Sequence, residues 1–531
     1  MKPRTPQYYP LVFSSFWVER RLWGLHPAGY RAVNAALHAG NALLLSEALA
    51  VLAVPGGWAA ALLFALHPVH AETAAWIAER KNLLSTLFYL LAFLSYWAFR
   101  NAAGQRRRRL YAAALGLFLC ALWSKTVACT LPVAILLALA WKEDRRPGWQ
   151  DLRPLLPFFA FGGALGLVTV WYEAHRVGAQ GAAWALGPFE RLLLAGRIPW
   201  FYLGKLAFPH PLSFVYPRWA LDPGGLTQWA PPAALAVLFA GLLALRRRAE
   251  ARAALFALAF FVATLFPALG FFNVYPFRYS FVADHFQYLA SAGPLALLAA
   301  GLMRLRRPWG GALAAVLAAA LLALTFMRSR AYRSLEELWK DTLAKNPAAW
   351  IARNNLGKLY LEQDRLGDGM DEFAKAAELF PEGAEIFNNL GVAFIRAGQP
   401  QKAVEKLGRA LALKPGYSDA RFNLGVALDA LGLPNDALAQ YAAVLKTEPD
   451  RGEARYNYAL DLLRLGRPGE ALPHLREAAR TNPIPHSFNN LGAALAMTGD
   501  YAGAQECFRQ ALRLDPKNAE AAANIQRLPK H

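Results

Sequence analysis

His67-Pro68-Val69-His70-Ala71-Glu72-Thr73-Ala74-Ala75-Trp76-Ile77-Ala78-Glu79-Arg80-Lys81-Asn82 is a polar stretch wedged between two apolar runs, each long enough to enter a bilayer. Two His, two Glu, an Arg and a Lys so close together do not sit in hydrocarbon unpaired, so the stretch reads as a helix at the membrane surface. Pro68 suits the first helical position, where its missing N–H breaks no bond. Glu72 then lies near the positive end of the helix dipole and Arg80 and Lys81 near the negative end, which is also what ordinary capping gives.

Working outward, apolar runs fill the first two thirds of the 531 residues, and a charged, alanine-rich segment fills the last third. Residues 1–346 hold 35 Lys+Arg against 15 Asp+Glu, whereas residues 347–531 hold 22 of each, so the net charge of +20 belongs to the apolar part. Its clusters at 106–109, 246–248 and 304–307 fit the positive bias of cytoplasmic membrane loops and do not suggest nucleic acid. Cys120, Cys129 and Cys507 are too scattered for a disulfide framework or a metal-binding spacing.

Residues 1–21 lack the continuous apolar core of a signal peptide and read as an extramembrane loop. The first span covers about 31–53, and Asn34, His38 and Asn41 share one of its faces, which looks into the protein. Further runs at 57–67, 83–99, 110–124, 126–141, 155–172, 229–245, 253–270, 287–303 and 309–327 bring the expected spans to ten. Residues 187–228 are read as an extracytoplasmic segment that does not cross, because a crossing would split the arginine clusters between the two sides. The same parity puts the stretch 67–82, the loop around Asp284 and the C-terminal part outside the cytoplasm. Arg and Ala enrichment with little Lys suits a bacterial inner membrane, with that C-terminal part in the periplasm.

From Pro347 a repeat takes over: Pro347, Pro381, Pro415, Pro449, Pro483 and Pro516 lie 34, 34, 34, 34 and 33 residues apart. Asn-Leu-Gly or a variant recurs at 355–357, 389–391, 423–425, 457–459 and 490–492. Twelve residues beyond its last position stand small residues, Gly369, Ala403, Ala437, Ala471 and Ala504. This resembles the tetratricopeptide repeat, in which small residues let two antiparallel helices pack closely. The expected organisation is all-α: a polytopic helical membrane domain over 1–330, a linker helix over 331–346, and an α-solenoid of five tetratricopeptide repeats with a C-terminal capping helix over 347–531.

The membrane half carries a second resemblance. Trp23-Gly24-Leu25-His26-Pro27-Ala28-Gly29-Tyr30, the face of Asn34, His38 and Asn41, His67-Pro68-Val69-His70-Ala71-Glu72, Arg80-Lys81-Asn82-Leu83-Leu84 and Ala283-Asp284-His285-Phe286-Gln287-Tyr288 resemble the transmembrane and tetratricopeptide-repeat O-mannosyltransferase-like (TMTC-type) family. The resemblance implies a C-type glycosyltransferase fold, no certain cofactor, a polyprenyl-phosphate sugar as donor substrate, and transfer to protein hydroxyls on the extracytoplasmic face. The family's acidic pair, regarded as the catalytic base, lies in a loop upstream of where this chain starts. The catalytic residue is thus unassigned, with Glu72 and Asp284 as candidates.

Transfer needs a carboxylate for the acceptor proton and cations for the departing phosphate. Arg80, Lys81, Arg278 and His285 suit the phosphate, or else they snorkel to lipid head groups. Asn34, His38 and Asn41 are either glue between helices or a face for the donor. A metal at His67, His70 and Glu72 is disfavoured, because on a continuous helix His70 and Glu72 point to nearly opposite sides. Asn355, Asn389, Asn423, Asn457 and Asn490 occupy one position of the first helix of each repeat and form a ladder that clasps an extended peptide or bonds neighbouring helices. Two readings of the whole remain: a membrane protein O-glycosyltransferase, or a non-catalytic membrane-anchored scaffold for envelope proteins. In both, the expected partners are membrane lipid and a protein or peptide held by the repeats, with the lipid-linked sugar added in the first.

Overall fold

The computed structural model of the chain describes residues 8–181, 184–306 and 308–529; residues 1–7 and Arg307 of the segments read above lie outside them. Every regular element among the described residues is helical. The chain divides into two compact units, Met1–Ala349 and Trp350–His531.

All ten apolar runs contain helices, and among the described residues six stretches are long and apolar enough to cross a membrane: Ile77–Arg100, Thr126–Glu143, Trp149–Val177, Leu226–Ala244, Ala249–Ala268 and Trp309–Tyr332. The other four fall short of the ten expected for separate reasons. Gly57–Leu66 and Ala292–Met303 have 10 and 12 residues, which at about 1.5 Å per residue do not cover a hydrocarbon core of about 30 Å. Pro27–Val51 is long but carries Asn34, His38, Asn41 and Glu47, and Gly104–Ser124 opens on four arginines. Each of the four gives side chains to the buried core, among them Leu45, Leu63, Phe118 and Ala299.

Ion pairs between helices sort the charges into two ends. Arg100 reaches Glu143 at 2.7 Å and Asp151 at 3.3 Å, Arg252 reaches Asp144 at 2.5 Å, and Arg304 reaches Glu250 at 3.1 Å. These contacts gather the basic clusters from four separate parts of the sequence at one end. Arg80–Arg100 runs from there over about 30 Å to the other end, where the segments around Glu72, Tyr216 and Asp284 meet.

Two local expectations change, and a helix is found within the expected linker at 331–346. Residues 10–23 are a helix, not a loop: Pro10 starts it, Glu19 pairs with Arg80, and the Arg21 guanidinium lies 3.7 Å over the Trp17 ring. The stretch 67–82 is not one helix but a 3-10 turn at Pro68–His70, a helical turn at Ala71–Ala75, a break at the extended Trp76, and a second 3-10 turn at Ile77–Glu79 before Arg80. Asn34 holds that break open by donating to the Trp76 carbonyl at 3.2 Å. Residues 335–345 form a helix within the first unit, where Trp339 packs on Phe214 and Asn346 donates to the Val215 carbonyl at 3.2 Å.

The second unit pairs helices Trp350–Glu362 with Leu366–Leu379, Ala384–Arg396 with Pro400–Leu413, Ser418–Ala430 with Pro434–Thr447, Gly452–Arg464 with Pro468–Thr481, and Pro485–Met497 with Tyr501–Leu514, followed by Ala519–Arg527. The glycine of Asn-Leu-Gly is where the paired helices come closest. A Cβ at Gly425 would lie 2.5 Å from the Tyr441 ring, and one at Gly492 would lie 2.6 Å from Phe508.

Candidate functional site

The broken stretch and the segment 280–291 build a buried polar cluster. Tyr202, on the helix Pro188–Ala207, accepts from the Ala283 N–H and donates to its carbonyl, both at 3.1 Å, which fixes the approach to Asp284 and His285. His285 Nδ1 bonds Glu72 Oε1 at 2.7 Å. Glu72 is 2% exposed, and its second oxygen, Oε2, has no hydrogen-bond partner among the described residues. A buried carboxylate oxygen left open is rare enough to need a reason.

Two lysines sit beside this pair. Lys81 Nζ lies 2.9 Å from Glu79 Oε1, and Lys125 Nζ lies 3.9 Å from Glu79 Oε2 and donates to Asn82 Oδ1 at 2.6 Å. Asn82 donates in turn to Glu79 at 2.7 Å and to the His285 carbonyl at 2.9 Å, so one amide ties Glu79 and Lys125 to the backbone at His285. Burial pulls the Lys125 ammonium down to about 8, against Glu79, which holds it charged. Asp284 accepts from Tyr216 at 2.8 Å, and burial first, then the charge of Glu72, push its carboxyl above the ordinary range.

The remaining residues singled out from the sequence have other employment. Arg80 is 1% exposed and forked onto Glu19, with further bonds to Asn34 and to the Tyr30 carbonyl at 3.0 Å. This corrects its assignment as a phosphate donor, because its fork is spent inside the protein. Arg278 lies over Tyr279 at 5.9 Å. His38 bonds Tyr288 at 2.7 Å and the Ala65 carbonyl at 3.0 Å, and Asn41 donates to the Leu83 carbonyl at 3.0 Å, so this face joins helices.

His70 bonds the Phe64 carbonyl and Ser291, and His67 bonds the Leu206 carbonyl, while Glu72 turns to His285. His70 and Glu72 therefore do not lie on one continuous helix as the sequence reading assumed, and among the described residues no group of three His, Cys, Asp or Glu comes together. Lys125 and Asn82 were missed. The signal was a lone lysine between two apolar runs, at Trp123-Ser124-Lys125-Thr126.

In the repeats the asparagines bond between neighbours. Asn389 donates to Asn354 and Asn423 to Asn388, both at 2.9 Å, and Asn490 donates to the Tyr456 hydroxyl at 2.6 Å. Of the two readings of the ladder, these contacts are those between neighbouring helices, each amide meeting the residue one before the corresponding position of the preceding repeat. Asn457 instead meets Tyr441 at 3.3 Å.

Tetratricopeptide repeat models match residues 320–384, 394–461 and 485–518. The human protein O-mannosyl-transferase TMTC4 is 38% identical over 112 residues, 18% of this chain and 15% of that protein. Protein O-mannosyl-transferase F38B6.6 of Caenorhabditis elegans is 24% identical over 386 residues, 70% of this chain and 54% of that protein. The matches thus span from a small part to about half of these relatives' own length. Among solved structures, YrrB, a tetratricopeptide-repeat protein with an unusual peptide-binding site, is matched at 21% identity with a TM-score of 0.33, over 36% of this chain and 99% of that one.

Proposed function

We propose that this TMTC-like membrane protein with tetratricopeptide repeats transfers a sugar from a polyprenyl-phosphate donor to protein hydroxyls, the repeats holding the acceptor. The observation that carries the reading is Glu72, buried, anchored through one oxygen by His285 and open at the other. In the proposed step Glu72 takes the acceptor hydroxyl proton as the oxygen bonds to the anomeric carbon. The bond from that carbon to the phosphate oxygen breaks, and the lipid phosphate leaves with the electron pair. Its developing charge is assigned in this reading to Lys81, Lys125 and His285, which the cluster holds through Glu79 and Glu72. The positive-inside bias supports an extracytoplasmic position for this end, since the arginine clusters gather at the other. In a bacterium that position is the periplasmic side of the inner membrane.

The test is the full chain in liposomes with polyprenyl-phosphate mannose and an unstructured Ser/Thr-rich peptide, the product being read by mass. Wild type is expected to transfer, and Glu72→Gln to lose about 100-fold or more, as for removal of a general base. Undiminished transfer by Glu72→Gln would reject Glu72 as the base. Retained peptide affinity with no transfer at all would favour the membrane-anchored scaffold.

A further inference from the structure

The membrane unit contains a cavity of about 400 Å³, separate from the cluster around Glu72. Its walls come from the second half of Pro27–Val51, the middle of Arg80–Arg100, and from Leu131–Glu143, Ala249–Leu265 and Ala292–Met303. They are largely apolar, and small residues such as Ala48, Ala253, Ala292 and Gly301 keep the space open. All four of its charged lining residues, Lys142, Arg252, Arg304 and Glu250, stand at the arginine-rich end. The cavity is therefore an apolar slot with one charged mouth.

We infer that this cavity binds one anionic phospholipid from the leaflet at the arginine-rich end, an acyl chain in the slot and the phosphate at Lys142 and Arg252. Lys142, Arg252 and Arg304 face Glu250 and the Asp144 that pairs with Arg252, which leaves the mouth positive by one charge, and the pair of Arg304 with Glu250 is exposed, where ion pairs hold weakly. Arg252 Nε is buried without a hydrogen-bond partner among the described residues, although Nη1 bonds Asp144. Lys142 spends one donor on the Leu52 carbonyl at 2.8 Å, and an ammonium has three. The depth fits as well. From Arg304 back to Ala292 a helix runs about 18 Å, close to the half-thickness of about 15 Å of the hydrocarbon core. The slot thus takes a chain from one leaflet and does not admit a spanning partner. Basic pockets between membrane helices on the cytoplasmic side are suited to anionic head groups. The inference is independent of the transferase reading, whose donor phosphate belongs at the opposite end.

Gly301 supplies a test at the cavity wall, because it lines the slot and a Cβ there would meet nothing within 4 Å, so a larger side chain is accommodated. The full chain is placed in nanodiscs of phosphatidylcholine and phosphatidylglycerol in equal parts, and the lipid retained after transfer to detergent is counted by native mass spectrometry. Wild type is expected to keep one phosphatidylglycerol. Lys142→Gln with Arg252→Gln should lower that retention about tenfold, and Gly301→Leu should abolish it. Brominated phosphatidylglycerol should also quench a component of tryptophan fluorescence that Trp141→Phe removes, since Trp141 lines the slot. Equal retention of the two lipids, or phosphatidylglycerol still held by Gly301→Leu, would overturn the proposal. Leucine is a better helix former than glycine, so the plug is expected to fold, and if the charge variant does not, the plug and the quenching decide.

Discussion

Arg80 and Glu72 come from one short polar stretch and meet opposite fates. Arg80 is enclosed with Glu19, and the two side chains are 1% and 6% exposed. Arg80→Ala is expected to destabilise the membrane unit by about 3–5 kcal/mol, the usual effect of stranding one buried charge, and Arg80→Leu with Glu19→Leu should recover most of it. Unfolding in detergent measures both. For Glu72, His285→Ala should lower transfer by a factor comparable to Glu72→Gln while leaving peptide affinity alone, since His285 touches the carboxylate and not the repeats. Asp284 gives a pH signature. Its carboxyl is raised by burial and by Glu72, so the stability tied to its protonated form is complete below the unfolded value of about 3.9. That stability is lost as pH rises through the higher folded value. Asp284→Asn should flatten this part of the stability profile, and a protonated-carboxyl infrared band present above the ordinary range should vanish with it.

Among the elements, the repeat helices carry a close approach that the consensus only hints at. Gly425 faces the Tyr441 ring, and an added methyl would meet it at 2.5 Å. Gly425→Ala is therefore expected to cost about 1–3 kcal/mol, as overpacking does, whereas Ala at the unobstructed Gly408 should not destabilise. Thermal unfolding of the two variants separates the cases. The asparagine bonds between repeats make a second prediction at this scale. A double-mutant cycle of Asn389→Ala and Asn354→Ala should return a coupling of about 1 kcal/mol, the net worth of one such hydrogen bond. Zero coupling would leave these amides free for another task.

For the whole molecule the prediction is topological. The arginine clusters joined by ion pairs belong on the cytoplasmic side if the positive-inside bias holds. In a background without the native three cysteines, Asp222→Cys and Gln440→Cys should react with an impermeant maleimide in intact spheroplasts, and Arg247→Cys should not. Protection of both of the first two would place the Glu72 end and the repeats inside the cell.

Spacing alone was enough for the repeats: a period of 34 residues with small residues at fixed offsets leaves one way to pack a helix pair. Apolar runs and clustered arginines likewise showed a helical membrane unit and which clusters share an end, because both are properties of single segments. The site was legible only in its inventory. Glu72, Asp284, His285 and Lys81 were all chosen from the sequence, but periodicity makes residues 67–82 one helix, on which Glu72 and Lys81 point apart, and says nothing of what Asp284 and His285 meet. At the break, the Trp76 carbonyl accepts from Asn34, forty-two positions away in the chain, and Glu72 finds His285 only across 213 positions. Arg80 was misread for the same reason. Its charge is visible in the sequence, but Glu19 neutralises it through a contact between helices, and such contacts exist only once the chain has packed.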